Sequence, residues 1–323
     1  MSLYAAFEVV LLHFWSYREL AILSMTSHSM KQVVSQVVAA RIKGYLRLWL
    51  SPHLSFWPAL EELKGVIGGA FVLRVLAQGS PGWLPRSLDI YLVGDASCVA
   101  MKEVLEQHGY TNWSVRDCRR QPRHTVIGDR FVWSKGTIVD AIYEANLGPR
   151  VVRLYSIDHV DALSAIPHHW STLFINAIMT DRLLCAYPRT TLIQEGLISP
   201  GSWKSVFFPG LRQCVVSGFR IHGWDGDGSD GTRVGIRHGY RADDLRSLGD
   251  GKTLCLRVDA SNLRDSPVSN TFGDSRARLV SWQYGACSPA YMGGYVPQVQ
   301  ILEPRRHGER YALRQEWLDG DWD

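Results

Sequence analysis

The chain contains little of what metal clusters, disulfide scaffolds and membrane spans are made from. Its six cysteines are widely scattered and include no C-x-x-C pair, which argues against a zinc cluster and against a small disulfide-stapled domain. No apolar run approaches the length of a membrane span, and no basic segment precedes the apolar residues near the N-terminus. We therefore expect a cytoplasmic or nuclear protein with no membrane partner.

Strong net charge and the common catalytic motifs are missing as well. The formal charge of +4 over 323 residues is too small to indicate a nucleic acid partner, because phosphate backbones are bound by concentrated basic patches. No P-loop, Gly-x-Ser-x-Gly elbow or zincin helix occurs. Hydrophobic residues at 46% and charged residues at 20% are ordinary globular values, so a packed core is expected.

The N-terminal segment carries helical patterns. Two capping boxes, Ser16-x-x-Glu19 and Ser29-x-x-Gln32, predict helix starts because their side chains satisfy backbone donors that a helix leaves without partners. Apolar residues recur after them at the spacing that places side chains on one helix face. We expect two or three short helices here. The apolar stripe comprises Met30, Val33, Val34, Val37 and Val38.

The middle of the chain alternates strand-like and helix-like patterns. Short apolar runs bounded by turn residues predict strands, and longer periodic runs predict helices. Beyond residue 199, short β-type runs alternate with loops rich in Gly, Asp and Arg. The predicted strands cover residues 66–67, 88–93, 138–143 and 151–155, and the predicted helices cover residues 70–77, 99–108 and 170–179, the last of them buried.

A glycine pair and a strand aspartate form the candidate chemical site. Gly68-Gly69 falls between a predicted strand and a predicted helix, where backbone amides and the helix dipole can hold phosphates. Ser87 and Asp89 alternate along the next strand and so share a sheet face, as paired magnesium-binding carboxylates do. Serine is a weak ligand for a hard cation. Asp140, in a later strand, is the candidate for a further carboxylate.

This order of features resembles a largely uncharacterised fungal family of proteins with a nucleotidyltransferase-like fold. The series runs from Gly68-Gly69 through Asp89-Ile90-Tyr91 and a helix ending at Gly109-Tyr110 to Asp140. A later block at residues 170–178 and 185–191 is its more specific part, and the resemblance spans about residues 56–197. It implies magnesium bound by Asp89 and Asp140, with a nucleotide near Gly68, Gly69 and Ser87. Because Ser87 stands where the first carboxylate belongs, it also implies a degenerate site.

The N-terminal residues resemble a second kind of module. Residues 7–15 followed by residues 18–24 are similar to an F-box, often present in the same fungal proteins. The resemblance implies docking onto the Skp-type adaptor of a ubiquitin ligase. A helical hairpin that merely packs on the next domain is the open alternative. The residues expected at or under an adaptor contact are Leu11, Leu12, Leu20 and Leu23.

These observations lead to one functional expectation and one competitor. We expect an adaptor or binding protein, of the F-box substrate-receptor type, with a degenerate nucleotidyltransferase-like domain. The competitor is an active magnesium-dependent nucleotidyltransferase in which another carboxylate compensates for Ser87. The expected divisions are residues 1–50 for the F-box-like segment, residues 51–198 for the nucleotidyltransferase-like domain and residues 199–323 for the β-rich C-terminal region. The predicted fold class is α/β (α+β), with a mixed sheet and flanking helices.

Overall fold

A computed structural model of the protein describes residues 15–50, 55–77, 84–118, 138–169, 171–198, 214–223, 235, 237–240, 245–247, 250–259, 263, 279–283 and 298–302. The helices are α1 (Tyr17–Thr26), α2 (His28–Leu46), α3 (Phe56–Glu62), α4 (Gly69–Leu76), α5 (Gly94–Gln107) and α6 (Pro188–Thr191). The strands are β1 (Val66–Gly68), β2 (Ser87–Val93), β3 (Thr111–Asp117), β4 (Val139–Leu147), β5 (Arg150–Ile157), β6 (Asn176–Ile178), β7 (Arg182–Cys185), β8 (Glu195–Ile198), β9 (Arg220–Gly223), β10 (Leu245–Ser247), β11 (Leu254–Arg257), β12 (Leu279–Gln283) and β13 (Gln298–Leu302).

The first helix begins as its capping box predicts, and the second does not. The Glu19 backbone N–H donates to Ser16 Oγ at 3.3 Å, and the Ser16 N–H donates to a Glu19 carboxylate oxygen at 2.6 Å. Helix α2 is capped instead by Ser27, whose hydroxyl accepts from the Met30 N–H at 3.1 Å. The predicted start at Ser29 is wrong because the extended backbone of Ser27 already ends the preceding turn.

Helices α1 and α2 pack onto the sheet rather than standing apart from it. The valines of the predicted stripe are buried, and they share one hydrophobic core with the sheet residues Leu254 and Leu256. Arg41 fixes the entry to α1, since its Nη2 donates to the Trp15 carbonyl at 2.5 Å and its guanidinium lies 5.0 Å from the Tyr17 ring centroid. The N-terminal segment is thus continuous with the core of the protein.

A mixed sheet of eight strands organises the described structure and confirms the α/β class. Its order is β11-β7-β6-β1-β2-β5-β4-β3. Strands β2 and β5 are parallel, and the other neighbours pair antiparallel. Strand β11 comes from beyond residue 199, so the C-terminal region contributes an edge strand to the central sheet. Two smaller sheets have the orders β10-β12-β13 and β8-β9.

The block at residues 170–179 is buried as predicted, but the predicted helix is wrong. A 3-10 turn covers Thr172–Phe174 and strand β6 follows it. The Asn176 side chain donates to the Leu173 carbonyl at 2.6 Å, which closes the turn before the strand enters the sheet beside β1. A short buried apolar run carries no periodicity that separates helix from strand, so its neighbours in the sheet decide.

Alternation along β2 divides its side chains between two cores. Leu88, Ile90 and Leu92 face the core that contains helices α1 to α5, whereas Tyr91 faces a second core on the opposite side of the sheet. Asp89 lies on the same face as Tyr91, which sets where its carboxylate can act. Across the described ranges, no helix combines the length and the apolar character needed to cross a membrane.

Candidate functional site

The turn between β1 and α4 requires glycine at both of its positions, for two different reasons. A Cβ on Gly68 would lie 2.7 Å from Cε2 of Tyr91 and 2.8 Å from Cδ1 of Ile166, so packing excludes a side chain there. Gly69 has φ +68°, a left-handed conformation that side chains disfavour. The predicted glycine turn at the start of a helix is therefore confirmed.

Asp89 lies directly against this turn. Strands β1 and β2 are antiparallel and place Asp89 opposite Gly68. Asp89 Oδ2 is 2.5 Å from the position that a Cβ on Gly69 would occupy, and the residue is only 2% exposed. The structure thus brings Asp89 to the Gly68-Gly69 turn, although it follows Gly69 by 20 positions in the sequence.

Arg153 is the residue of this site that the sequence interpretation missed. It lies on β5, level with Asp89 in the parallel pair and with Glu144 of β4 in the antiparallel pair. Its Nε donates to Glu144 Oε2 at 2.8 Å, and its Nη1 lies 3.6 Å from Asp89 Oδ1. The same Nη1 donates to Ser87 Oγ at 3.1 Å. One guanidinium on β5 therefore links three oxygen-bearing side chains, two on β2 and one on β4.

The environment keeps Arg153 positively charged. Burial by itself lowers the pKa of the Arg153 guanidinium, but the acidic groups of Tyr155, Asp89 and Glu144 outweigh it and raise that pKa above its ordinary value. The Arg153 side chain is 12% exposed, so little water screens the charge. A fixed cation therefore stands beside Asp89. The sequence signal for it is an arginine in the middle of the predicted apolar strand at residues 151–155, since a charged residue inside a sheet needs a partner.

Asp140 is not brought to this arrangement. It lies at a bulge, because β4 pairs Val139 with Ile157 and Ala141 with Ser156, which leaves Asp140 without a position opposite β5. It precedes Glu144 by four residues, which corresponds to roughly 13 Å along a strand. Within the described residues no group of three or more His, Cys, Asp or Glu side chains is placed to hold a metal ion. Glu144, rather than Asp140, is the acidic side chain on β4 that lies near Asp89 through Arg153.

An aromatic cluster closes the site on the side of Gly68. The Tyr91 and Tyr155 rings stack with centroids 4.7 Å apart, and the Tyr91 hydroxyl lies 3.2 Å from His169 Nε2. Burial, with a smaller contribution from His168, lowers the pKa of His169 to about 3. The imidazole is therefore neutral at physiological pH. This buried wall limits access to the turn from the Tyr91 side.

The leucines expected at an adaptor contact differ in where they lie. Leu20 is fully buried in the core, and Leu23 is partly buried against it. Leu11 and Leu12 fall outside the described residues. The outer side of α1 instead exposes Ile22 and Met25, which are 47% and 39% accessible to solvent.

Comparison with known proteins assigns no family. The chain matches no family model, no curated protein and no solved structure. A functional proposal therefore depends on the contacts around Asp89 and on the resemblances that the sequence carries.

Proposed function

We propose that this protein is an adaptor or binding protein whose nucleotidyltransferase-like domain does not catalyse magnesium-dependent nucleotide transfer. One observation carries the proposal: the Arg153 guanidinium lies 3.6 Å from Asp89 and donates to Ser87, the two residues of the degenerate acidic pair. In an active site of this type, divalent ions would neutralise those positions. Here an internal cation does so.

Electrostatics opposes a magnesium ion at this position. Two unit charges about 4 Å apart near a protein surface interact by about 4 kcal/mol, and a divalent ion doubles the repulsion from a fixed guanidinium. The ion would also have only Asp89 as a charged ligand from the pair, because Ser87 offers a neutral hydroxyl. The Glu144 carboxylate is already bound to Arg153 Nε. These three facts favour a domain that binds a ligand over one that catalyses nucleotide transfer.

A nucleotide at Gly68-Gly69 stays a prediction, and the Asp89 carboxylate bears on it. Helix α4 begins at Gly69 without a side-chain cap at Gly68, which suits a phosphate. Asp89 Oδ2, however, lies beside Gly69, and its negative charge opposes a second anion there. The proposed nucleotide interaction is therefore independent of magnesium and weaker than in an active enzyme.

The partner that we propose for the N-terminal helices is a Skp-type adaptor of a ubiquitin ligase. The resemblance of residues 7–24 to an F-box supports it, and so does the exposure of Ile22 and Met25 on α1. Leu20 would act beneath such a contact by holding α1 on the core, since it is fully buried. The protein would then bring a substrate to the ligase.

The proposal is tested by titrating the full chain with magnesium in the presence of ATP and by measuring pyrophosphate release from each of the four ribonucleoside triphosphates. We expect no magnesium-dependent heat beyond that of magnesium binding to ATP without protein, and no turnover from the native protein. The double variant Ser87→Asp with Arg153→Gln, checked for folding by its melting curve, should acquire magnesium affinity. Robust native turnover that Asp89→Asn abolishes would establish the competing class, an active nucleotidyltransferase.

A further inference from the structure

A second polar cluster lies where β8 and β9 begin, and a buried glutamate is its centre. The Glu195 side chain is 5% exposed. Its Oε1 pairs with Nη2 of Arg220, which lies opposite it in the parallel pair of β8 and β9, and its Oε2 is 3.4 Å from Nε2 of His238. A buried carboxylate needs such partners to offset its lost hydration. Glu195 therefore holds two basic side chains in fixed positions at the edge of the protein.

The turn that carries His238 is fixed by buried contacts. The Tyr240 N–H donates to the Gly235 carbonyl at 2.7 Å and closes the turn, and the Tyr240 hydroxyl accepts from the Arg189 N–H of α6 at 3.4 Å. Tyr240 is 1% exposed, and the Arg246 guanidinium lies 5.0 Å from its ring centroid. The backbone beside His238 is thus held by contacts to Gly235 and to α6.

Further positive charge surrounds this turn. A Cβ on Gly239 would lie 3.2 Å from Arg189 Nη1, and Lys252 Nζ donates to the Gly239 carbonyl at 3.1 Å. Burial lowers the pKa of His238 most, Glu195 opposes that effect, and the charges of Arg237 and Arg189 add to the lowering. Arg189 and Lys252 therefore lie beside the turn whose His238 contacts Glu195.

Arg220 extends from the buried Glu195 to the solvent. One of its nitrogens is bound to the buried Glu195, yet 67% of its side chain is accessible to water. An arginine held at one end by a carboxylate keeps further donors of its planar fork available for an oxyanion. The order that Glu195 imposes reduces the entropy that Arg220 would lose on binding a ligand.

We infer that Arg189, Arg220, His238 and Lys252, here called the basic cluster, bind the phosphate group of a small phosphate monoester. Arg220 and Arg189 supply charge-assisted donors, Lys252 supplies a further positive charge, and Glu195 positions Arg220 and His238 without contacting the ligand. The basic cluster belongs to α6, the two-stranded sheet and the adjoining turns. It is therefore separate from the Asp89 and Arg153 arrangement on the central sheet, and it requires no divalent ion.

The probe is inorganic phosphate, titrated into the full chain at low ionic strength and followed by isothermal calorimetry. We expect saturable binding that weakens as sodium chloride is raised. Arg220→Gln, checked for folding by its melting curve because it removes a partner of the buried Glu195, should weaken the affinity about tenfold or more, because it removes charge-assisted hydrogen bonds. Arg257→Gln, at an exposed position on β11, is the matched loss of charge elsewhere and should leave the affinity within about twofold.

A second measurement identifies where phosphate binds on the protein. The imidazole resonances of His238, assigned by comparison with His238→Gln, should shift during the phosphate titration with the same midpoint as the heat. The inference is overturned by the absence of saturable binding, by unchanged affinity in Arg220→Gln, or by equal weakening in Arg220→Gln and Arg257→Gln. The last result would indicate diffuse attraction to net positive charge. None of these outcomes depends on whether the Asp89 region binds magnesium.

Discussion

Asp89 and Arg153 lie opposite each other on the parallel strands β2 and β5, with Oδ1 and Nη1 3.6 Å apart. Both side chains are largely buried. Each side chain compensates the charge of the other, because removal of either one leaves the remaining charge unpaired in a poorly hydrated environment. The pair is therefore the main argument against a metal site here, and breaking it should lower the stability of the fold.

Replacement of Arg153 should destabilise the fold strongly. Arg153→Gln leaves Asp89 and Glu144 without their shared cation, so we expect the free energy of unfolding to fall by about 3–5 kcal/mol. Urea denaturation followed by circular dichroism measures it. Arg150→Gln, at the exposed first residue of the same strand, should change stability by less than about 0.5 kcal/mol. Equal effects of the two substitutions would contradict the pairing.

The double variant Asp89→Asn with Arg153→Gln isolates the interaction. It removes both charges, so it should be more stable than Arg153→Gln alone. If the two single effects simply add, the 3.6 Å contact contributes no coupling and the role assigned to Arg153 is wrong.

Substitution of two glycines, Gly69 and Gly94, distinguishes the cost of backbone strain from the cost of crowding against the Asp89 carboxylate. Gly69 and Gly94 each begin a helix with a left-handed backbone, at φ +68° and +72°. A Cβ on Gly94 meets nothing within 4 Å, whereas one on Gly69 lies 2.5 Å from Asp89 Oδ2. Gly94→Ala should cost about 1–2 kcal/mol from backbone strain, and Gly69→Ala should cost about 1–3 kcal/mol more from crowding. Thermal unfolding of both variants measures the difference, and comparable costs would show that Asp89 does not press on the turn.

Acid should destabilise the protein through His169. Burial lowers the pKa of His169 to about 3 in the folded protein, while an unfolded histidine titrates near 6.5. The unfolded state therefore binds this proton first as pH falls. The stability that the neutral His169 contributes is fully present above about pH 6.5 and is lost towards about pH 3. Over this interval the free energy of unfolding should fall by about 1.4 kcal/mol per pH unit.

The comparison of pH profiles identifies the histidine responsible. His169→Gln should reduce the slope of unfolding free energy against pH between about 6.5 and 4, and a smaller slope should persist because burial also lowers the pKa of His168 to about 4. His28→Gln, at the exposed start of α2, should leave the slope as in the native protein. A native profile that is flat across this interval would rule out the neutral buried imidazole.

The adaptor hypothesis makes a prediction about the outer side of α1. Ile22→Ser with Met25→Ser should reduce capture of a purified Skp-type adaptor by about tenfold, because both apolar side chains are exposed and would be buried in the complex. Val216→Ser, at a position that is 80% exposed, is the control. Failure of the native full chain to bind the adaptor would leave packing on the sheet as the role of the N-terminal helices.

Much of the fold follows from local patterns. The Ser16 capping box starts α1, the valine stripe of α2 is buried, and the Gly68-Gly69 turn separates β1 from α4, as predicted. These features depend on residues within a few positions of each other, so a single sequence carries them. The segment at residues 170–179 was mispredicted because β1 and β7, distant in the chain, make β6 a strand.

In the candidate site, too, some features are predictable from the sequence and others depend on the fold. The sequence predicts that a glycine turn precedes a helix and that Ser87 and Asp89 alternate along the strand that follows. The resemblance adds that Ser87 stands where the first carboxylate of a pair belongs. The groups that meet these residues follow from the folded chain, because Ser87 and Arg153 are 66 positions apart and the bulge at Asp140 is not visible in the strand pattern. Strand order and register are set by packing across the whole sheet, and a shift of one residue would turn Arg153 to the opposite face.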